Sequence, residues 1–179
     1  MKKLNISETT AREEIKRRTP WLFLGLLAGI AMVLIGQNFE EALSRNLKLA
    51  FFIPMIVYMS DSIGTETLAL FVRELALRRV KLHKIFWRET FTGLSLGLIT
   101  GIPMGLFSYF WLGDFNLSVT LVITMTVNGL VAVLTGTLTP IVFAKLKKDP
   151  ALGTDEITTA VSDNVSMLVY LIIATLFLL

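Results

Sequence analysis

The sequence has 179 residues, enough for one domain, and 54% of them are hydrophobic while only 17% are charged. Soluble domains carry roughly a quarter charged residues, so this composition is typical of a membrane protein. The sequence has no cysteine and a single histidine, His83, which excludes disulfide scaffolds, thiolate chemistry and multi-histidine catalytic or metal sites within one chain. Because no nucleophile–base pair and no cofactor motif is present, we expect a protein that is not an enzyme.

Five apolar stretches are long enough to cross a hydrocarbon core, which takes about 20 helical residues. Pro20 at a helix-start position and Trp21 at interface depth are expected to begin the first stretch. The second contains Asp61 and Glu66, the fifth contains Asp163, and the third and fourth contain no charge. The sequence therefore predicts an all-α integral membrane protein with five transmembrane helices. The expected spans are 21–39, 47–72, 90–113, 115–144 and 157–179.

The distribution of basic residues predicts the orientation. Fifteen of the seventeen Lys and Arg residues fall on one side of this topology, and only Arg45 and Lys48 fall on the other. The positive-inside rule makes the basic side cytoplasmic, so we expect the N-terminus inside and the C-terminus outside. We also expect the membrane to be a prokaryotic plasma membrane. Residues 1–19 are interpreted as a cytoplasmic tail with a short amphipathic helix over 7–18, and residues 20–179 as the membrane domain. The basic charge is assigned to orientation and anionic lipid, not to nucleic acid.

Small residues recur at four-residue spacing on two of the spans. On a transmembrane helix, such a stripe lets a neighbouring backbone approach closely, and we interpret it as packing and not as a ligand site. The fourth span is rich in threonines, whose hydroxyls are expected to bond to their own helix, whereas Asn128 is expected to hydrogen-bond across helices. The glycines are Gly93, Gly97, Gly101 and Gly105 on the third span and Gly25 and Gly29 on the first.

The acids within the spans are the strongest functional signal. An ionised acid at the bilayer centre costs about 2.5–3.5 kcal/mol on insertion scales, so it is usually functional or paired. No span has a Lys or Arg near its centre that would pair with Asp61, Glu66 or Asp163. The structural alternative is a protonated acid that is hydrogen-bonded to a carbonyl or hydroxyl group.

Helical spacing groups these acids with hydroxyl groups. Asp155, Thr159 and Asp163 share one face of the fifth span, and Asp61 and Thr65 share one face of the second, because residues four apart are neighbours on a helix. Glu66 is expected to point elsewhere. Carboxylates and hydroxyls without imidazole or thiol suit a hard cation such as Mg²⁺ or Ca²⁺.

A series of short motifs, in order from Pro20 onward, resembles the membrane domain of the MgtE family of magnesium channels and transporters. Their order, their spacing and the five-span topology together carry the resemblance. The motifs are Pro20-Trp21-Leu22, Ala50-Phe51-Phe52-Ile53-Pro54, Val72-Arg73 with Leu75-Ala76-Leu77, Arg88-Glu89, Asp149-Pro150-Ala151-Leu152, Thr158-Thr159 and Ser162-Asp163.

The resemblance implies a homodimer with a central pore lined by the second and fifth spans of both subunits. Asp163 matches the family's central pore aspartate, which holds Mg²⁺ largely through its water shell, and Mg²⁺ as the transported ion is thereby expected. The other matching pore positions are Asp155, Thr159, Asp61 and Thr65, with Asp149 near the cytoplasmic mouth.

The sequence departs from the family pattern on the second span. The family usually has a Gly-Gly-Asn-x-Gly-Asn-Gln type sequence where this chain has residues 60–66, so Asp61 and Glu66 replace a glycine and a glutamine and Thr65 replaces an asparagine. Position 155 is also acidic here and more often neutral in the family. The pore is therefore expected to be more electronegative, which bears on ion selectivity and proton coupling. We expect no counterpart of the family's helical N domain or CBS pair in this sequence.

Three functions remain open on the sequence. The first is a dimeric channel or transporter for divalent cations, with Mg²⁺ preferred, although oxygen ligands also serve Mn²⁺, Co²⁺ and Ca²⁺. The second is an exchanger coupled to Na⁺ or H⁺, suggested by Asp61 and Glu66 and by an interruption of the helix at Gly64. The third is a non-transporting membrane subunit that anchors or regulates a partner, with the regulatory domains on a separate chain.

Overall fold

The computed structural model describes residues 10–77, 82–146 and 153–178, and every regular element within them is a helix. Five helices are long and apolar enough to cross a membrane, which confirms the prediction of an all-α protein with five spans. A sixth, short helix follows the first span, where the sequence pattern predicted none. The helices are α1 (Ala11–Asn38), α2 (Glu40–Arg45), α3 (Lys48–Leu77), α4 (Leu82–Leu112), α5 (Phe115–Lys145) and α6 (Thr154–Leu178).

The first span begins earlier than predicted. Helix α1 starts at Ala11 and contains Pro20 in its interior, so the expectation that Pro20 begins the helix is wrong. The Thr10 amide donates to the Glu13 carboxylate at 3.0 Å, which is the reciprocal interaction of a capping box and starts the helix before the proline. The expected helix over 7–18 lies partly outside the described residues.

Helices α4 and α5 form the tightest pair in the fold, and the glycine stripe lies between them. A methyl group added at Gly93 would lie 2.8 Å from the Gly129 carbonyl oxygen, and one at Gly105 would lie 2.9 Å from the Ser118 carbonyl oxygen. Backbones can approach this closely only where Cβ is absent, so the packing interpretation of the stripe is confirmed. On α1 the stripe packs against nothing described in this chain, because no described atom lies within 4 Å of a methyl group built at Gly25 or Gly29.

Helix α5 packs against α3, α4 and α6 and forms the centre of the bundle. The Asn128 amide donates to the Ser166 carbonyl oxygen on α6 at 3.1 Å, which confirms the predicted bond across helices. Four threonines bond to carbonyl groups of their own helix as expected, whereas Thr124 and Thr137 are buried without a partner among the described residues. The four are Thr120, Thr126, Thr135 and Thr139.

Helix α1 packs mainly along α6. The Asn164 side chain of α6 donates to the Ala28 carbonyl oxygen of α1 at 3.1 Å. At one end of this pair, the Trp21 ring lies directly against Gly153, the residue before α6. Gly153 has φ +78°, a conformation that favours glycine, so both the space and the backbone conformation exclude a side chain there.

One ion pair links the start of α5 to the start of α3. Asp114 caps α5 by accepting from the Leu117 amide at 3.1 Å, and it also accepts from Lys48 Nζ at 3.1 Å. The pKa of Asp114 lies below its ordinary value, chiefly because of the Leu117 amide and then because of Lys48.

We expect Asp114→Ala to lower the free energy of unfolding by about 1–2 kcal/mol at neutral pH, because a helix cap and a partly exposed ion pair are lost. A carboxylate with a lowered pKa stabilises the fold above its ordinary pKa, and that contribution disappears as the pH falls through the lowered value. Thermal unfolding in detergent at several pH values measures the difference. Asp114→Asn is the control that keeps a capping oxygen, and equal stability of all three proteins at pH 7 would contradict the assignment.

Candidate cation site

The polar faces of α3 and α6 meet at one hydrogen bond. The Thr159 hydroxyl on α6 donates to Asp61 Oδ1 on α3 at 2.8 Å, which joins one member of each polar stripe predicted from the sequence. Asp61 also lies within electrostatic range of Asp155 and Asp163. The structure therefore brings four of the predicted site residues to a single face of the bundle.

Helix α6 carries two parallel polar stripes with different surroundings. The first consists of hydroxyl-bearing residues that are completely buried against the rest of the bundle, and the Tyr170 hydroxyl donates to the Leu49 carbonyl oxygen of α3 at 2.9 Å. The second stripe consists of Asp155, Thr159 and Asp163; it lies beside the first and is half-buried or exposed. Burial of the neutral stripe sets the rotation of α6 and thereby leaves the carboxylates uncovered. The buried residues are Thr158, Ser162, Ser166 and Tyr170.

Asp163 has an unusual environment for an acid within a span. Its Oδ1 atom is buried and has no hydrogen-bond donor among the described residues. Glu89, near the start of α4, provides the contrast, because its side chain is 8% exposed but lies 2.7 Å from the Arg88 guanidinium. A buried carboxylate is costly unless it is paired. Glu89 has a structural partner, whereas Asp163 Oδ1 has no donor among the described residues.

A groove of about 300 Å³ lies between α1 and α6 and contains Asp163. Asp155, Glu156 and Thr159 lie along the same groove on α6. The opposite wall is formed by α1 residues, which are Gly25, Ala28, Gly29 and Met32. Asp155 and Glu156 are exposed near the N-terminal end of α6. The groove therefore has acidic groups both at its end and in its interior.

The described carboxylates do not form a compact chelating site. No group of three or more His, Cys, Asp or Glu side chains within 10–77, 82–146 and 153–178 is arranged to hold a bare metal ion.

Of the three other residues predicted for the site, two lie within the described part of the chain. The Thr65 hydroxyl donates to the Asp61 carbonyl oxygen of its own helix at 2.9 Å, so only its lone pairs remain for a ligand. Glu66 is exposed and does not line the groove, as its spacing from Asp61 implied. Asp149 lies outside the described residues.

Two residues at the groove were missed by sequence reasoning. Glu156 follows Asp155 and reaches the same groove, but it lies off the four-residue stripe. Asn164 follows Asp163 and connects α6 to α1. A polar amide directly beside an acid in an otherwise apolar span was the signal that could have identified Asn164.

The chain matches the sequence model of the MgtE family, described as a divalent cation transporter, over residues 53–173. It is 32% identical to the magnesium transporter MgtE of Bacillus subtilis (strain 168) over 174 residues, which are 96% of this chain and 39% of that protein. It is 30% identical to the magnesium transporter MgtE of Thermus thermophilus over 165 residues, which are 90% of this chain and 36% of that protein. The chain spans less than two fifths of the length of these curated relatives. Because the match includes the helices that carry Asp61 and Asp163, and extends over most of the sequence, the chain belongs to the MgtE family.

Proposed function

We propose that this protein conducts divalent cations, with Mg²⁺ preferred, along the acidic face of α3 and α6. The observation that carries the proposal is Asp163 Oδ1, which is buried within a span without a donor among the described residues, on a side chain that is otherwise only partly buried. The hydrogen bond between Thr159 and Asp61 supports it, because it sets a second carboxylate beside the first. Membership of a family described as divalent cation transporters agrees with this chemistry.

We further propose that the pore forms between two copies of the chain. Asp61, Thr159 and Asp163 are only partly buried in a single chain, and a second copy across a two-fold axis would cover them and supply the opposite carboxylates. Two Asp163 side chains would then hold the hydrated ion from both sides. The two positive charges of the cation would balance the two negative charges of the carboxylates, whereas a single chain leaves the Asp163 carboxylate without an opposite charge.

Because the sequence has no cysteine, single-cysteine variants test the dimer directly. We expect Asp163→Cys to be cross-linked by a short bismaleimide in membranes, and Phe110→Cys, exposed on α4, to serve as the matched control. Cross-linking of Phe110→Cys without Asp163→Cys would contradict a pore at the two-fold axis.

The proposed orientation makes the transport direction electrically favourable. With the basic N-terminal tail and the basic loops inside, the exposed Asp155 and Glu156 lie at the cytoplasmic end of the path. The membrane potential contributes about 2.3 kcal/mol per charge per 100 mV, so a dication gains about twice that when it moves inward. No other coupled ion is required.

Reconstituted protein tests the proposed activity. Proteoliposomes with an internal Mg²⁺ indicator and an imposed K⁺ diffusion potential are expected to show influx that follows voltage and the Mg²⁺ gradient. Substituting Mn²⁺, Co²⁺ and Ca²⁺ measures the selectivity. Absence of influx in vesicles that contain folded protein would refute the proposal.

A carrier coupled to Na⁺ or H⁺ is the alternative. The structural argument for a carrier was an interruption of the helix at Gly64. However, α3 is continuous from Lys48 to Leu77, and Gly64 lies against the backbone of α5 at Ala132. Gly64 therefore serves close packing and does not break the helix. Imposing a Na⁺ or pH gradient at fixed voltage separates the two, because only the carrier responds to it.

The bond between Thr159 and Asp61 gives a further prediction. Thr159→Val keeps the shape of the side chain but removes the hydroxyl that donates to Asp61, so we expect the apparent KM for Mg²⁺ to change by about fivefold, the value of one hydrogen bond. Thr100→Val on α4 is the matched control, since that hydroxyl bonds only to its own helix. An identical KM in Thr159→Val and wild type would show that this bond does not influence the ion.

A further inference from the structure

The amide of Asn164 has a defined orientation. Its Nδ2 atom donates to the Ala160 carbonyl oxygen at 2.8 Å and to the Ala28 carbonyl oxygen at 3.1 Å. Both partners are acceptors, so exchanging the amide nitrogen and oxygen would set an acceptor against two acceptors. Asn164 Oδ1 therefore points away from these carbonyls, and it is buried without a donor among the described residues.

Asp163 presents a second oxygen of the same kind. Its Oδ1 is also buried without a donor in the described part of the chain, and both residues line the groove between α1 and α6. A buried acceptor of this kind is satisfied when a water molecule supplies a donor or a cation binds the oxygen. Neighbouring residues are about 100° apart around a helix with 3.6 residues per turn, so the two oxygens would contact different sides of a wide ligand and not one bare ion.

The opposite wall of the groove leaves room for such a ligand. Gly25 and Gly29 of α1 have nothing described within 4 Å of a built methyl group, and the groove measures about 300 Å³. Six water molecules at about 30 Å³ each occupy about 180 Å³, so a cation with a complete first water shell fits. The acids of the groove supply the attraction for a positive ligand.

We propose that Asn164 is a further cation-binding residue and that α1 forms a wall of the ion path. Asn164 Oδ1 accepts a hydrogen bond from the water shell of a divalent cation held by Asp163, and Gly25 and Gly29 keep the groove wide enough for that shell. The inference rests on the proposed function and extends it from α3 and α6 to α1. The ligand is a hydrated divalent cation, not a dehydrated one.

Two substitutions of Asn164 separate binding from a purely structural role. Asn164→Leu removes both the acceptor for the water shell and the donors to α1. Asn164→Asp keeps an acceptor for the water shell and loses the donors to α1. We expect Asn164→Leu to raise the KM for Mg²⁺ about fivefold, and Asn164→Asp to keep or lower it. If the side chain only fastens α1 to α6, both variants will show the same loss, and that result would overturn the proposal.

Hexaamminecobalt(III) is the direct probe, because its six ammine ligands do not exchange and it resembles a fully hydrated Mg²⁺. We expect it to inhibit wild-type influx, and to inhibit Asn164→Leu and Gly29→Val more weakly. Ala31→Val, an exposed position on α1, is the matched control, and light scattering of the purified variants verifies an unchanged oligomeric state. Inhibition equal to wild type in both groove variants would overturn the proposal.

The transport measurements distinguish a role of α1 in the ion path from the role of Asp163. Loss of transport in an Asp163 variant with normal transport in Asn164→Leu and Gly29→Val would remove α1 from the ion path and leave the proposed function standing. Normal transport in all of them would remove both.

Discussion

Asp163→Asn is expected to reduce Mg²⁺ influx into proteoliposomes by at least about a hundredfold. A carboxylate and a dication about 6 Å apart attract each other by about 5 kcal/mol at an effective dielectric constant near 20, and the amide forfeits that attraction while it keeps the size of the side chain. Influx at a fixed K⁺ diffusion potential, normalised to the amount of protein, is the measurement. Glu40→Gln, at an exposed position of α2, removes one negative charge elsewhere and is the matched control.

Although Asp163→Asn is expected to lower Mg²⁺ influx, it is expected to keep or raise the stability of the fold. Asp163 Oδ1 is buried without a donor among the described residues, and neutralising a buried, unpaired charge removes a cost. We therefore expect Asp163→Asn to unfold at the same temperature as wild type or at a higher one when no divalent cation is present. Loss of influx with retained stability assigns Asp163 to transport, whereas unimpaired influx would remove it from the ion path.

Gly97→Leu is expected to destabilise the protein more than any other single substitution considered for this fold. A methyl group at Gly97 would collide with the Met125 carbonyl oxygen and lie 2.7 Å from Thr126 Cα, and one at Gly129 would lie 2.7 Å from Gly97 Cα. These neighbours are backbone atoms, so no side-chain rotation relieves the collision and the helices have to separate. Overpacking typically costs 1–3 kcal/mol, and we expect about 3 kcal/mol or more here.

Unfolding in increasing SDS, or thermal unfolding in mild detergent, measures this loss. Gly25→Ala is the matched control, because the methyl group it adds meets nothing described within 4 Å and alanine favours the helix over glycine. A Gly97→Leu protein as stable as Gly25→Ala would contradict the close contact between α4 and α5.

The sequence predicted the five spans because length and hydrophobicity identify membrane helices directly. Their ends were less predictable, since helices continue beyond the apolar core into polar turns. Helix α1 begins at Ala11 where 21 was expected, and α4 begins at Leu82 where 90 was expected. Helix α2 has six residues, too few to give an apolar pattern of its own.

Part of the candidate site was also predictable from the sequence, because residue spacing identifies which side chains share a face of one helix. Four-residue spacing grouped Asp155, Thr159 and Asp163 correctly along one face of α6, but spacing within one helix does not identify which face of another helix it meets. The bond from Thr159 to Asp61 and the bond from Asn164 to α1 depend on that pairing. The open glycine face of α1 has the same cause, because a stripe of small residues predicts close packing only when a partner helix lies against it.

The contact between Trp21 and Gly153 has a mechanical consequence. A bulky indole ring fills the position that a side chain at 153 would need, and the residue directly after Gly153 begins α6. Helix α1 continues from Trp21 back to Ala11 with Pro20 in its interior, and Asp155 follows Gly153 by two residues on α6. The contact of the indole ring with Gly153 therefore fixes the distance between the polar end of α1 and the N-terminal end of the helix that carries Asp155 and Asp163.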